Sequence, residues 1–315
     1  MIRKMIALLL ALCLALTLTA AMAEASPVRV GALKGPTAMG MVQMMQDKTD
    51  AYAFTLVAAP DEMVTALAKG EVDIAAVPAN LAAVLYSKIG VKALAVNVLG
   101  VLYIAERGDS IHSVADLKGR TLVTAGKGAT PEYALNYILR GNGLDPEQDL
   151  TIEFKSEHAE CVAAMTQDDT IVAMLPQPFL TTAMGKMEDL HVALDLTQEW
   201  DALQADAESP SAMITGAIVV RGEFAEQNPE AVQQFMADCA DSVAFVQQNT
   251  DAAAELIGAF DIVPAAVAAK ALPGCNIVFI SGEEMRAELS GYLNELFNQD
   301  PTAVGGAVPG EDFYY

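Results

Sequence analysis

The residues best placed to do chemistry in this chain are glycines and small polar side chains that directly follow apolar runs. The clearest case is Gly126–Thr130, which joins a predicted strand to a predicted helix whose first turn contains Pro131 and Glu132. Free N–H groups at a helix N-terminus bind anions or polar acceptors, and glycine lets backbone approach a ligand closely. An ordinary helix start, capped by Thr130, is the alternative. We predict ligand contacts from Lys127, Gly128, Ala129 and Thr130.

A second candidate segment occupies the same position after the first predicted strand. It consists of Gly35, Pro36, Thr37 and Ala38. Ligands of open α/β sheets bind outside the carboxyl ends of the strands, so this segment is predicted to contact the same ligand, although a turn and a helix cap would also explain it. Asn80 follows the third predicted strand and can bind a ligand or cap the next helix. Four nearby methionines are predicted to pack in the core: Met39, Met41, Met44 and Met45.

No residue pattern in the sequence predicts catalysis, a metal site or a cofactor. The histidines are scattered, and His158 with Cys161 supplies only two metal ligands at helical spacing. Neither a Gly-x-Ser-x-Gly elbow nor a His-Glu-x-x-His motif occurs in the chain. Trp200, the only tryptophan, lies in an irregular stretch where a ligand contact and surface packing are equally compatible with the sequence. The sequence therefore predicts a binding site without catalytic residues or metal ligands.

The elements that must position these residues are short apolar runs alternating with longer segments of helical period. This alternation is typical of an α/β protein with a largely parallel sheet. It is interrupted at the polar residues Arg107–Ser110 and again in a stretch that ends near Pro210. We predict two lobes: lobe one from residues 24–106 and 213–315, and lobe two from residues 107–212. Two crossings indicate a two-strand hinge, with Gly100 and Gly216 supplying backbone freedom.

Composition and charge exclude several classes of protein. The chain has 315 residues, of which 53% are hydrophobic and 19% are charged, so it can build two globular lobes. Its formal net charge of −23 repels phosphate backbones and anionic lipid at long range. Nucleic acid is therefore excluded as a partner.

The first residues differ in composition from the rest and have the layout of a secretory signal peptide. Arg3 and Lys4 precede an uncharged run that ends in the small-x-small pattern Ala21-Met22-Ala23. Cleavage before Glu24 would remove residues 1–23. We therefore predict export to the periplasm or to the outer face of the cytoplasmic membrane, with an uncleaved membrane anchor as the alternative.

Three cysteines remain after this segment, an odd number for a compartment in which disulfides persist. Cys239 lies on a long predicted helix, and Cys275 precedes a short predicted strand of the same lobe. We predict that Cys239 and Cys275 form a disulfide bond and that Cys161, in the other lobe, is a free thiol.

Several segments of the chain share their pattern with one known family. They are Leu67–Asn80, Asp116–Val123, Gly126–Tyr133 with Gly143–Pro146, Leu175–Phe179 and Val219–Ala231. Together they resemble the periplasmic-type solute-binding proteins of ABC importers, in the nitrate, sulfonate, taurine and thiamine-precursor group. The resemblance covers nearly the whole chain after the N-terminal segment.

This resemblance implies a type II periplasmic-binding-protein-like fold, an α/β architecture with two lobes, a two-strand hinge and a ligand cleft between the lobes. It implies a monomer that captures a small polar or anionic organic solute by hinge closure and delivers it to an ABC permease and its ATPase, without a cofactor. Gln177 and Thr215 join the candidate site, although Gln177 stands where many members have Glu, so a cation contact there is not carried over. An enzyme on the same fold, acting on a pyrimidine or menaquinone precursor, is the alternative.

Overall fold

The computed structural model describes residues 26–205 and 211–315, and the predicted signal peptide at residues 1–23 lies outside this range. Within the described residues the chain forms two separate β-sheets, each packed against helices. The predicted α/β class with two lobes is therefore confirmed.

The strands coincide with the apolar runs of the sequence. In chain order they are β1 (Val28–Leu33), β2 (Tyr52–Val57), β3 (Ile74–Pro78), β4 (Val91–Leu99), β5 (Leu102–Glu106), β6 (Thr121–Ala125), β7 (Thr151–Lys155), β8 (Val172–Pro176), β9 (His191–Asp195), β10 (Ile214–Arg221) and β11 (Ile277–Ile280). Lobe one holds a six-stranded sheet of order β11-β4-β10-β3-β1-β2, and lobe two holds a five-stranded sheet of order β7-β6-β8-β5-β9.

Three parallel strands lie side by side at one end of each sheet. In lobe one β1 pairs in parallel with β2 and β3, while β10 runs antiparallel between β3 and β4. In lobe two β6 pairs in parallel with β7 and β8, and β5 runs antiparallel to β8. The carboxyl ends of the parallel strands therefore meet at one edge of each sheet, where ligands of such sheets bind.

The helices of the described residues connect these strands and follow the helical periodicity of the sequence. They are α1 (Pro36–Met39), α2 (Val42–Asp47), α3 (Pro60–Lys69), α4 (Ala79–Ile89), α5 (Thr130–Gly141), α6 (His158–Gln167), α7 (Phe179–Met184), α8 (Leu196–Gln204), α9 (Gly222–Gln227), α10 (Pro229–Gln248), α11 (Thr250–Ala259), α12 (Ala265–Ala271) and α13 (Gly282–Gln299). In residues 26–205 and 211–315, none of them combines the length and the apolar character needed to cross a membrane.

The hydrophobic core has a part that is private to lobe one and a part that both lobes share. The private part contains the four methionines of the α1–α2 region, which are almost fully buried, so the predicted core packing is confirmed: Met39, Met41, Met44 and Met45. The shared part joins side chains of α5 and α8 in lobe two to α13, whose residues Tyr292, Leu293 and Leu296 are fully buried. The lobes are thus connected by packing as well as by chain crossings.

The first crossing lies earlier than the sequence indicated. Strand β5 pairs with β8 and β9, so residues 102–106 belong to lobe two and the crossing is at Gly100–Val101, not near residue 107. The polar residues that suggested a boundary form a turn inside lobe two. There the Glu106 carboxylate accepts hydrogen bonds from the N–H groups of Ser110 and Ile111, at 2.9 and 2.8 Å. A buried strand end with a polar turn resembles a linker in the sequence.

Gly100 at this crossing, like Gly216, leaves room for neighbouring side chains because it has no side chain of its own. A Cβ atom added to Gly100 would overlap Met213 Cε and Thr197 Oγ1, and one added to Gly216 would lie 2.7 Å from Asn97 Oδ1. These glycines are therefore required because neighbouring side chains pack directly against the backbone. The structure thus gives these two glycines a role in close packing, in place of the predicted role in backbone freedom.

The predicted disulfide bond between Cys239 and Cys275 is wrong in this structure. All three cysteines of the described residues are free and fully buried. Cys239 and Cys275 do belong to the same hydrophobic cluster, as their assignment to one lobe requires. Burial raises the pKa of each thiol to about 12, so both pack as small apolar side chains instead of reacting as thiolates.

Candidate functional site

The loop before α5 is the most exposed part of the candidate site. Gly126 and Gly128 adopt φ values of +87° and +72°, a region that glycine occupies without strain. The backbone N–H of Gly128 donates to Glu132 Oε2 at 2.5 Å, and Ala129 is the residue that precedes the helix. The helix start is therefore closed by its own first-turn carboxylate, which complements the helix dipole.

The Thr130 side chain bridges the two lobes and does not cap its own helix. It is the first residue of α5, is only 5% exposed, and donates its hydroxyl to Asn80 Oδ1 at 3.2 Å. Asn80 lies in the first turn of α4 in lobe one and also donates its Nδ2 to the carbonyl of Ala303 at 3.4 Å. Two side chains predicted for the site are thus brought together across the cleft.

The two lysines nearest the candidate segments are both engaged by neighbours. Lys127 Nζ lies 5.6 Å from the centre of the Phe154 ring, within the range of a cation–π contact. Lys34 Nζ lies 2.7 Å from Asp261 Oδ2, and this ion pair lowers the pKa of Asp261. Neither ammonium group is therefore directed at the helix start of α5 or α1.

The predicted segment of lobe one forms the tight turn into α1. Gly35 has φ +132° and open space around its Cα, and Pro36 begins the helix. Thr37 donates its hydroxyl to the carbonyl of Leu33 at 2.9 Å, while Ala38 is fully buried and its N–H donates to the carbonyl of Gly35. A side chain at Gly35 would therefore meet open space, whereas Thr37 and Ala38 hold the turn together.

Thr215 and Asn97 lie beside this turn on neighbouring strands. The Thr215 hydroxyl donates to the carbonyl of Leu99 at 2.5 Å, and Asn97 Nδ2 donates to the carbonyl of Thr37 at 3.0 Å. Asn97 is 3% exposed, and its Oδ1 has no hydrogen-bond partner among the described residues. A buried polar atom without a partner is unfavourable, so this oxygen is an acceptor that a bound donor would satisfy.

Gln177 lies at the opposite flank of the cleft, where lobe two approaches lobe one. Its side-chain Oε1 accepts a hydrogen bond from the Thr181 hydroxyl at 2.8 Å, and its backbone N–H donates to the carbonyl of Val101 at 3.0 Å. Nearby, Tyr103 donates its hydroxyl across the cleft to the carbonyl of Gly274 at 2.9 Å. Burial raises the pKa of Tyr103 to about 12, so this phenol remains a donor.

A groove of about 420 Å³ opens next to Gln177, between α7, β9 and α12. Met184 and Val192 form its apolar wall, and Lys270 is the lining residue from lobe one. The cleft therefore has polar contacts in its interior and a mixed groove at its outer edge.

The structure contains no metal-binding cluster of three or more histidine, cysteine or acidic residues within residues 26–205 and 211–315. His158 lies at the start of α6, with its ring centre 5.1 Å from that of Phe179, and burial lowers its pKa. Cys161 is buried one turn further along the helix. This pair, which the sequence analysis judged too few ligands for a metal site, is part of the packing of lobe two.

Three residues of the cleft escaped the sequence analysis. Asn97 is the only polar residue in the run 93–99, and Tyr103 carries the only hydroxyl in β5, so the sequence shows both as interruptions of an apolar run. Glu132 was noted only as a first-turn residue, because its contact with Gly128 depends on the loop geometry.

The fold has many solved relatives. An ABC transporter structure from Parabacteroides distasonis has a TM-score of 0.78 and 23% identity, with 92% of this chain and 99% of that chain covered. The periplasmic aliphatic sulphonate binding protein SsuA from Escherichia coli has a TM-score of 0.72 and 19% identity, with 92% of both chains covered. The periplasmic nitrate-binding protein NrtA from Synechocystis PCC 6803 has a TM-score of 0.62 and 14% identity, covering 88% of this chain and 82% of that one.

A match in sequence identifies the family directly. No curated protein sequence matches the chain significantly. The sequence model of one family, described as ABC transporter, phosphonate, periplasmic substrate-binding protein, matches residues 39–268, which is well over half of the chain. The chain therefore belongs to the family of periplasmic substrate-binding proteins of ABC transporters.

Proposed function

We propose that this protein captures a small polar organic solute between the facing edges of its two sheets and delivers it to an ABC permease and its ATPase at the membrane. Membership of the family supports the transport role, and the positions of the polar side chains support the place of capture. The protein would act outside the cytoplasm, as a monomer, without a cofactor.

The observation that carries this proposal is the contact of Asn80 with Thr130. Each residue follows a parallel strand of a different lobe, and their side chains meet at 3.2 Å. The carboxyl edges of the two parallel strand sets therefore meet at this contact, and a solute bound between them would exchange the contact for contacts with itself. Such a solute would favour the closed arrangement through its greater affinity for that state.

A thermal-shift screen would test solute capture. The library would contain sulfonates, carboxylates, pyrimidines and other aromatic heterocycles, so it includes the solute class named for one related structure and that of the alternative function. A solute present at about 100 times its Kd stabilises the folded protein by about 2.7 kcal/mol, which gives a clear rise in Tm. A complete lack of shifts across the library would contradict the proposal.

A matched pair of glycine variants would place the solute in the cleft. Gly128 and Gly143 have φ values of +72° and +78°, and an added Cβ would meet no atom within 4 Å at either position. Gly128→Ala and Gly143→Ala should therefore lose a similar stability of about 1 kcal/mol. Only Gly128→Ala, in the loop before α5, should weaken binding of the solute found in the screen. Equal affinity in both variants would remove this loop from the site.

The enzyme alternative can be tested on the same solute. A transport protein should return the solute unchanged after prolonged incubation, as measured by mass spectrometry. Conversion of the solute by the purified protein would instead support an enzyme acting on a pyrimidine or menaquinone precursor.

A further inference from the structure

We propose that Glu132 sets the charge selectivity of the cleft, so that it binds a neutral or cationic solute bearing N–H or O–H donors and rejects phosphonates and sulfonates. This inference rests on the proposed function, because it names the class of solute that the cleft would bind. It follows from the contacts of Glu132, of the nearby lysines and of Asn97.

Glu132 already accepts the N–H group of Gly128, which an anionic group of a solute bound at this helix start would otherwise use. Its Oε2 lies 2.5 Å from the N–H of Gly128, and no lysine, arginine or histidine of the described residues forms a salt bridge with it. The carboxylate is half-buried in the first turn of α5, where it already complements the helix dipole. A phosphonate or sulfonate approaching this loop would meet a fixed negative charge and an N–H group that is already bonded.

Within the part of the chain that the structure describes, no lysine around the cleft forms a salt bridge with Glu132. Lys34 pairs with Asp261 at 2.7 Å, and Lys155 pairs with Glu153 at 2.7 Å. Lys127 lies over the Phe154 ring, and Lys270 lines the outer groove beside Met184 and Val192. The net charge of −23 adds a long-range repulsion of anions.

Asn97 Oδ1 is a buried hydrogen-bond acceptor without a partner among the described residues. Asn97 Nδ2 donates to the carbonyl of Thr37, which can only accept, so the orientation of the amide is fixed with Oδ1 as the free atom. An amide oxygen accepts hydrogen bonds from N–H and O–H groups and has no favourable contact with a phosphonate or sulfonate oxygen. A solute that reached both Glu132 and Asn97 would thus meet acceptors at both, and would need N–H or O–H donors.

Matched pairs of probes separate charge from shape. Nicotinamide with nicotinate, and benzenesulfonamide with benzenesulfonate, differ chiefly in the replacement of a neutral donor group by an anionic group. Methylphosphonate and ethanesulfonate would serve as small anionic probes, and all titrations would be done by calorimetry in a phosphate-free buffer. For the full chain we expect each neutral member that binds to do so at least tenfold more tightly than its anionic partner, and no binding of the small anions at millimolar concentration.

Glu132→Gln provides the decisive variant, because glutamine keeps an oxygen that can accept from Gly128 while removing the charge. The variant should bind the anionic partners about tenfold more tightly than the unmodified protein does, since a charge a few ångströms away is removed, and its affinity for neutral solutes should change less than threefold. Glu62→Gln is the matched control: Glu62 is an exposed first-turn residue of α3 in lobe one, and its replacement should leave both affinities unchanged.

The possible outcomes distinguish this inference from the function on which it rests. Micromolar binding of methylphosphonate or ethanesulfonate by the unmodified protein would overturn the inference and support solute capture. An unchanged ratio of anionic to neutral affinity in a folded Glu132→Gln variant would overturn the role of Glu132. An absence of binding by both members of every pair would contradict solute capture, and the inference with it.

Discussion

The interface between the two lobes has two flanks. In one, which we call the aromatic flank, aromatic rings pack against each other at tilted angles. In the other, the groove flank, isolated polar contacts surround a groove. In the aromatic flank, the ring of Trp200 in lobe two lies between Tyr137 and Tyr292, with ring centres 4.2 and 5.5 Å away. Trp200 is fully buried and donates its indole N–H to the carbonyl of Ser211 at 2.9 Å. This flank is continuous with the hydrophobic core.

The groove flank is formed by Tyr103, Gln177, Gly274 and Lys270, and among the described residues no pair of aromatic rings joins the lobes there. Its direct link is the hydrogen bond from Tyr103 to Gly274, and the groove of about 420 Å³ lies beside it. Because apolar burial is lost when packed surfaces separate, opening at the aromatic flank is far costlier than opening at the groove flank.

Of the variants that test this comparison, Trp200→Ala should lower the stability of the protein most. Removing a fully buried tryptophan leaves a cavity between the lobes, and we expect a loss of about 3–5 kcal/mol in the free energy of unfolding, measured by urea denaturation. The control is Phe179→Ala, because Phe179 is 44% exposed in lobe two and should cost less than about 1.5 kcal/mol. Similar losses in the two variants would show that the aromatic flank does not hold the lobes together.

Gly100→Ala should have the next largest effect, because the added methyl group overlaps Met213 and Thr197 at the first crossing. We expect a loss of about 1–3 kcal/mol, the range for overpacking of a well-packed site. Gly185→Ala is the matched control, since the nearest atom to its added Cβ is 3.5 Å away. A Gly100→Ala protein as stable as this control would mean that the crossing is more loosely packed than the structure shows.

Tyr103→Phe tests the groove flank and should have a modest effect. It removes one hydrogen bond and leaves the carbonyl of Gly274 without that donor, so a loss of about 0.5–1.5 kcal/mol is expected. Tyr315→Phe, at an exposed residue, should change stability by less than about 0.5 kcal/mol. A loss from Tyr103→Phe as large as that from Trp200→Ala would make the two flanks equivalent.

A thiol reductant should not change the stability of the protein. Without a bond between Cys239 and Cys275, the Tm should be the same with and without a thiol reductant, whereas a bridge closing a loop of about 35 residues would contribute about 3–4 kcal/mol. Titration of the unfolded, unreduced chain from Glu24 should find three thiols, and the folded protein should react slowly because all three are buried. Finding a single thiol would instead show that two of the three cysteines form a disulfide bond.

The fold could be predicted from the sequence because its alternating apolar and helical segments are continuous and long. The lobe boundary could not, because the turn after Glu106 has the polarity of a linker while its hydrogen bonds lie within lobe two. Trp200 was equally compatible with the cleft rim and with packing. Its place between Tyr137 and Tyr292 depends on α13, which lies about 90 residues further along the chain.

The candidate site was predictable only where it follows from strand ends. Asn80 and Thr130 were found because each follows a parallel strand, and the structure brings them into contact. The orientation of Glu132 was not predictable, since it depends on the positive φ of Gly128 and on a contact made within the loop. Sequence patterns thus predicted which residues follow the strand ends, whereas the contact of Glu132 depends on loop geometry.

Hydrogen–deuterium exchange with the best solute of the screen would test the central claim, that the solute binds between the two sheets, most directly. We predict slower exchange on solute binding in peptides that cover residues 35–38 of lobe one and residues 126–132 of lobe two, in the same titration and with the same midpoint. Protection confined to one lobe, or located at the distant groove around Arg29, Asp50 and Phe224, would contradict the account.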